Sequence, residues 1–179
     1  MCGIVALVGS REAAPQLLEG LRQLEYRGYD SAGIATVDAK VEGLHCLRAS
    51  GKLANLTKRF EELGSPGQCG IGHTRWATHG KPEERNAHPH RSMDGSVAVV
   101  QNGIIENHRV LREQLEADGV VFRSETDTEV IPHLISAELQ RRLAAGEQAG
   151  GPLLLAALQA VLPELQGAYA LAVIWQEAP

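Results

Sequence analysis

The chain has 179 residues, 44% of them hydrophobic, with a formal net charge of -5 and a pI near 5.8. That length is enough for one domain with a real core, and the acidic balance argues against a nucleic-acid binder, which carries a basic patch. No stretch reaches the roughly 18 consecutive apolar residues of a membrane-spanning helix, and the N-terminus has no positive signal-peptide segment, so a cytoplasmic protein without membrane contact is expected. Cys2, Cys46 and Cys69 are odd in number and form no CxxC pair, which predicts free thiols and neither a disulfide framework nor a zinc site.

In chain order, the apolar run 3–8 between two glycines predicts a buried strand. Leu17, Leu18, Leu21 and Leu24 recur at helical spacing and predict a helix over 12–26, with Pro15 in its first turn and Gly28 as a C-terminal cap. Residues 33–37, 44–48, 70–73 and 96–100 read as further strands, so that five precede residue 101. Val110, Leu111 and Leu115 place a helix over 109–117, closed by Gly119. A second helix carries Val130, Ile131, Leu134, Ile135 and Leu139, behind the capping-box pattern of Thr126 to Glu129. Pro132 puts its regular part near Thr128 or Glu129. A third runs over 152–165 and kinks or ends at Pro163, and 168–175 reads as a strand.

Strands first, helices next and a strand last predict an α+β layered domain. Segment 146–152 joins two helices rather than two domains. A chain stopping just after a strand, with no polar linker, is expected to be part of a longer polypeptide.

The chemistry begins at Met1-Cys2-Gly3. Removal of Met1 would pair a thiol with an α-amine of pKa about 7.7–8.0, so one residue could supply both nucleophile and base. Taken alone, Cys2 reads more readily as a small hydrophobe that starts a buried strand than as a nucleophile. The segment from Gly72 to Gly80 is crowded with hydrogen-bonding side chains, and such a loop is commonly a binding surface. In it Arg75 offers a planar fork suited to a carboxylate, with Thr78 and His79 as further donors; for an isolated arginine a surface salt bridge is the favoured reading. Asn102-Gly103 offers two donors for an oxyanion, yet by spacing alone it reads as a two-residue hairpin turn. Asp127 fits either a helix start or an anionic binding group.

Six segments in order carry a resemblance: Cys2-Gly3-Ile4, the LEYRGYDSAG stretch from Leu24, the HTRWATHG stretch from His73, Asn86-Ala87-His88-Pro89-His90, the NGIIEN stretch from Asn102 and SETDTEVI from Ser124. Together they resemble the class II glutamine amidotransferases over residues 2–169. Within that class they are most similar to the glutamine:fructose-6-phosphate amidotransferases, since the purine-pathway relatives typically have HRGQD-like and HTRY-like segments where this chain has YRGYD and HTRW.

The resemblance implies an N-terminal nucleophile hydrolase fold, a four-layer α/β/β/α sandwich of antiparallel sheets. It implies hydrolysis of L-glutamine to glutamate and ammonia through a Cys2 thioester, as the ammonia-supplying part of hexosamine synthesis. Cys2 would be nucleophile and, through its α-amine, base; Asn102 and Gly103 would hold the oxyanion. Arg75, Thr78 and His79 would bind the glutamine α-carboxylate, and Asp127 with the Gly103 region its α-ammonium. Arg27 would lie close to Cys2, and Trp76 on a loop that closes over substrate. No cofactor or metal is implied. Fructose-6-phosphate would be met only through sugar-isomerase domains that this chain lacks, and the full-length protein would be a homo-oligomer.

Gln101 departs from the pattern, standing where many family members have histidine before Asn-Gly. Two rival classes compete with this reading. Seven histidines suggest a metalloenzyme, but their spacing matches no zinc pattern, and Pro89 keeps His88 and His90 from helical placement. A non-catalytic relative would be expected to have lost some of Cys2, Arg75, Asn102, Gly103 and Asp127, and all five are present.

Overall fold

The computed structural model describes residues 2–38, 43–76, 81 and 83–178. Two antiparallel sheets organise them. The first has the order β1-β4-β2-β3, built from β1 (Gly3–Val8), β2 (Ser31–Val37), β3 (Leu44–Ser50) and β4 (Cys69–Arg75). The second has the order β5-β6-β7, from β5 (His90–Arg91), β6 (Val97–Gly103) and β7 (Tyr169–Trp175).

Strand alternation sorts the core into three sheets of contact. On β6, Ala98 and Val100 meet Ile71, Val37 and Ala35 of the first sheet, forming the layer between the sheets. Val97 and Val99 point the other way, onto the helices α3 (His108–Ala117), α4 (Val130–Ala144) and α5 (Gly151–Val161) through Leu111, Ile131, Ile135 and Leu153. On the outer face of the first sheet, Leu17 and Leu21 of α1 (Ala13–Leu24) and Leu53 and Leu56 of α2 (Leu53–Leu63) cover Ile34 and Leu47. Each large aliphatic buried in this way contributes about 1.5–3 kcal/mol. The result is the expected four-layer α/β/β/α sandwich.

The departures have local causes. Helix α2 is absent from the sequence reading although Leu53, Leu56, Phe60 and Leu63 recur at helical spacing before Gly64, which closes the helix at φ 69°. The two-residue strand β5 is too short for an alternation signal and exists because His90 and Arg91 pair with Val99 and Ala98. Glu129 does not cap α4 with its side chain. Its carboxylate reaches back to accept the N–H groups of Arg123 and Ser124 at 2.8 and 2.7 Å and the Ser124 hydroxyl at 2.6 Å. Helix α4 therefore starts at Val130, and Pro132 falls in a first turn that needs no N–H from it. Gly28 ends a short 3₁₀ turn, Glu25–Arg27, rather than α1 itself.

Among the described residues no helix is long and apolar enough to cross a membrane.

Candidate active site

A cleft of about 450 Å³ opens where the first sheet meets the end of β6. Its walls include Cys2, Arg27, Arg75, Trp76, Asn102, Gly103 and Asp127, so residues drawn from five segments of the chain converge there. Thr78 and His79 lie outside the described residues.

Strand pairing brings the first of these together. Gly3 pairs with Thr74, which puts Cys2, one residue earlier, beside the end of β4. The Trp76 N–H donates to Cys2 Sγ at 3.2 Å. Gly28 permits the closeness of the Arg27 turn: a Cβ there would stand 2.8 Å from the Arg75 carbonyl carbon and 2.9 Å from the Trp76 nitrogen. Trp76 is about half exposed at the rim, its ring edge-on to Tyr29 at 5.7 Å.

Asn102 and Gly103 are not a hairpin turn; they are the last two residues of β6, paired with Ala170 and Tyr169 of β7. Gly103 has φ 120°, and a Cβ on it would meet the Ala168 carbonyl oxygen at 2.1 Å. Only glycine fits there. Asn102 turns its amide nitrogen to the Cys2 carbonyl oxygen at 3.2 Å, so a strong donor sits beside the thiol.

The cleft holds both signs of charge. Arg75 is buried, which draws its pKa down, while negative charge on Cys2, Asp30 and Asp127 draws it up; a guanidinium stays protonated at any working pH. Asp127 is buried in the turn before α4, where one carboxylate oxygen accepts the Ile105 N–H at 2.7 Å. Its other oxygen takes no hydrogen bond from any described residue. Cation, anion, thiol and amide donor together can grip a zwitterion and present a carbonyl to sulfur.

A layer of polar side chains that sequence reasoning did not assign lies beneath them. His73, His88 and Gln101 line the cleft floor. The rings of His73 and His88 stack at 4.2 Å with 15° between planes, and His90 meets His88 edge-on at 4.6 Å. Burial lowers the pKa of all three, to about 4 for His73, to about 3 for His90, and well below the usual value for His88. Gln101 donates its backbone N–H to His88 Nδ1 at 3.2 Å, and Thr128 donates its hydroxyl to the Gln101 side-chain oxygen at 2.8 Å. His90 Nε2 lies 3.0 Å from Thr126 Oγ1. The His-Pro-His segment is therefore a buried, hydrogen-bonded stack. Among the described residues no group of three or more His, Cys, Asp and Glu could hold a metal ion.

Cys46 and Cys69 are elsewhere, between the sheets, and burial raises both thiol pKa values.

Two antiparallel sheets packed face to face between helices, with a cysteine at the head of the first strand, define an N-terminal nucleophile hydrolase fold of the class II amidotransferase kind. A family model described as a glutamine amidotransferase domain matches residues 73–178, more than half of the chain, and the chain belongs to that family. Over its whole length it is 59% identical to a glutamine–fructose-6-phosphate aminotransferase (isomerizing) of Thermosynechococcus vestitus and 52% identical to that of Symbiobacterium thermophilum, covering 27% of each. Among solved structures it is similar to the glutamine phosphoribosylpyrophosphate amidotransferase from B. subtilis complexed with ADP and GMP. There the TM-score is 0.75 and the identity 30%, over 97% of this chain and 35% of that one. The higher identity to the fructose-6-phosphate enzymes agrees with the YRGYD and HTRW segments. The chain spans about a quarter of the length of those curated relatives.

Proposed function

We propose that this chain hydrolyses L-glutamine to glutamate and ammonia through a thioester on Cys2, as the ammonia-supplying part of a protein that converts fructose-6-phosphate to glucosamine-6-phosphate. The observation that carries the reading is the meeting of Cys2, Asn102, Arg75 and Asp127 on one cleft of about 450 Å³, a size suited to a small ligand.

In this reading Arg75 pairs with the substrate α-carboxylate and the open oxygen of Asp127 takes its α-ammonium, which leaves the amide end toward Cys2. The thiolate attacks the amide carbon, and the electron pair of the C=O bond moves to oxygen, where the Asn102 side chain and the Gly103 N–H stabilise it. The Cys2 α-amine, freed by loss of Met1, takes the thiol proton and returns it to the leaving ammonia. Water then cleaves the thioester to glutamate and the free thiol. Thr78 and His79 are assigned to the carboxylate, Arg27 to the vicinity of Cys2 and Trp76 to closure over the substrate, on the family resemblance.

Use of the ammonia on fructose-6-phosphate belongs to the remaining length of such a protein, as does homo-oligomerisation. The cytoplasm is the proposed location, which the three free thiols support. A glutamate-release assay on the Met1-free chain tests the core of the proposal. Turnover abolished by Cys2→Ala is the expected result, and no glutamate release from the unmodified chain would overturn it.

A further inference from the structure

Asn102 has two chemically different ends, and its neighbours leave one way to place them. The amide nitrogen lies 3.2 Å from the carbonyl oxygen of Cys2, and the amide oxygen lies 2.9 Å from His73 Nε2. The Cys2 carbonyl can only accept, so the nitrogen must face it; the reversed amide would press two oxygens together. The oxygen of Asn102 then faces His73 and can also only accept. That requires the proton of His73 to sit on Nε2.

His73 is itself held. Its ring is 1% exposed and lies flat on His88. The backbone N–H of Gln101 donates to His88 Nδ1, which fixes the His88 proton on Nε2, 3.4 Å from Thr128 Oγ1. The Thr128 hydroxyl, pointed at the Gln101 side chain, closes the ring. Burial keeps both imidazoles neutral near pH 7, with the hydrogen bonds to Asn102 and to the Gln101 backbone opposing the shift at His73 without reversing it. An isolated asparagine amide can flip end for end at little cost; this one is tied at its oxygen by a buried donor whose ring is stacked on His88.

We propose that His73 is a positioning residue of the oxyanion hole: its Nε2–H holds the Asn102 side-chain oxygen so that the amide nitrogen faces Cys2, and the stacked His88 fixes the His73 ring. The proposal rests on the glutaminase reading for its kinetic consequence, but its tautomer requirement is independent of activity. It also makes His73 unfit as an alternative general base through Nε2, because that nitrogen carries the proton.

Two measurements on the Met1-free chain test it. Nitrogen NMR of the imidazole side chains reports the His73 tautomer directly; a proton on Nε2 is expected, and a proton on Nδ1 overturns the proposal whatever the activity. Kinetics test the role. His73→Phe keeps a ring to stack on His88 but no donor, and is expected to lower kcat about 10- to 100-fold, less than outright loss of an oxyanion donor, with KM within about threefold. His73→Gln, which returns a side-chain N–H at similar reach, is expected to recover most of the loss. In the Asn102→Ala background, His73→Phe should cost nearly nothing further, since the group it orients is gone. Unchanged kcat in a folded His73→Phe protein, or full multiplication of the two defects, overturns the proposal. Absence of glutamate release from the unmodified chain would instead defeat the glutaminase reading, leaving the tautomer measurement to decide this one.

Discussion

Trp76 donates its backbone N–H to Cys2 Sγ at 3.2 Å, although 74 residues separate them. The contact exists because β1 and β4 are hydrogen-bonded neighbours with Gly3 opposite Thr74. It leaves the sulfur of Cys2 inside the cleft, whereas Cys46 and Cys69 sit between the sheets with their pKa values raised by burial. An electrophilic glutamine analogue should therefore label Cys2 and neither of the other thiols, as peptide mass spectrometry can read. Chains that retain Met1 should be labelled far more slowly, because an amide nitrogen in place of the α-amine cannot take the thiol proton. Equal labelling with and without Met1 would count against the amine base.

Asn102→Ala removes a donor that matters chiefly when negative charge develops on the substrate oxygen. Turnover is expected to fall roughly 100- to 1000-fold with a much smaller change in KM. Steady-state kinetics separate the two, and a defect confined to KM would assign Asn102 to ground-state binding instead.

Arg75→Lys keeps the charge but loses the planar fork, so KM for glutamine should rise at least about tenfold with a lesser effect on kcat. Asp127→Asn should act the same way from the opposite end of the substrate, while still accepting the Ile105 N–H that anchors its turn. Unaltered KM in either variant would mean that the corresponding charge of glutamine is held elsewhere.

Gly103→Ala tests the backbone. The new methyl would stand 2.1 Å from the Ala168 carbonyl oxygen at a φ of 120°, so the end of β6 must shift away from β7. A loss of about 1–3 kcal/mol from the backbone strain alone is expected in denaturant unfolding, together with lower turnover from the displaced donors. Wild-type stability would show that the strand end is more pliable than its packing suggests.

The residues that meet at the cleft were legible because each sits in a contiguous motif: Cys2 at the N-terminus, Arg75 and Trp76 in the HTRWATHG stretch, Asn102 and Gly103 in NGIIEN, and Asp127 in SETDTEVI. Strand β6 was legible from its apolar run; the run 3–8 marked the position of β1, but β1 is a sheet edge with only Gly3 buried rather than the buried strand expected. The strand ending in Asn102-Gly103 was not separable from a hairpin turn, since the partner that extends it, β7, lies 66 residues on in the pairing of Gly103 with Tyr169. The same limit hid the histidine layer. His73 and Asn102 are 29 residues apart on different sheets, and no local spacing records that one proton joins them. Helix α2 is a different case: its period is present in Leu53, Leu56 and Phe60 but lies between two strand signals.

The buried histidines also set how the protein responds to acid. Burial holds the pKa of His73 at about 4 and that of His90 at about 3, and lowers that of His88 well below the usual value, whereas an unfolded histidine titrates near 6.5. For a base whose folded pKa is depressed, the unfolded chain binds a proton that the folded one refuses. The stability each contributes is thus complete above about pH 6.5 and is lost as pH falls, at up to about 1.4 kcal/mol per pH unit for each histidine, until the folded pKa is reached. Glu129 adds to this at lower pH. Burial pushes its pKa up, but His133, the Ser124 hydroxyl and the Arg123 N–H outweigh that and hold it at about 2, so its contribution is present above about 4.5 and disappears as pH drops toward 2. Both effects have the same sign. The melting temperature should hold steady from pH 8 to 7, decline between 6.5 and 5, and fall steeply below 5. His90→Gln, which keeps a polar group near Thr126 but cannot be protonated, should flatten the decline between 6.5 and 5 even if it lowers stability at pH 7. A melting temperature constant from pH 7 to 5 in the unmodified chain would mean that these rings accept protons while folded, and the neutral stack beneath the cleft would have to be abandoned.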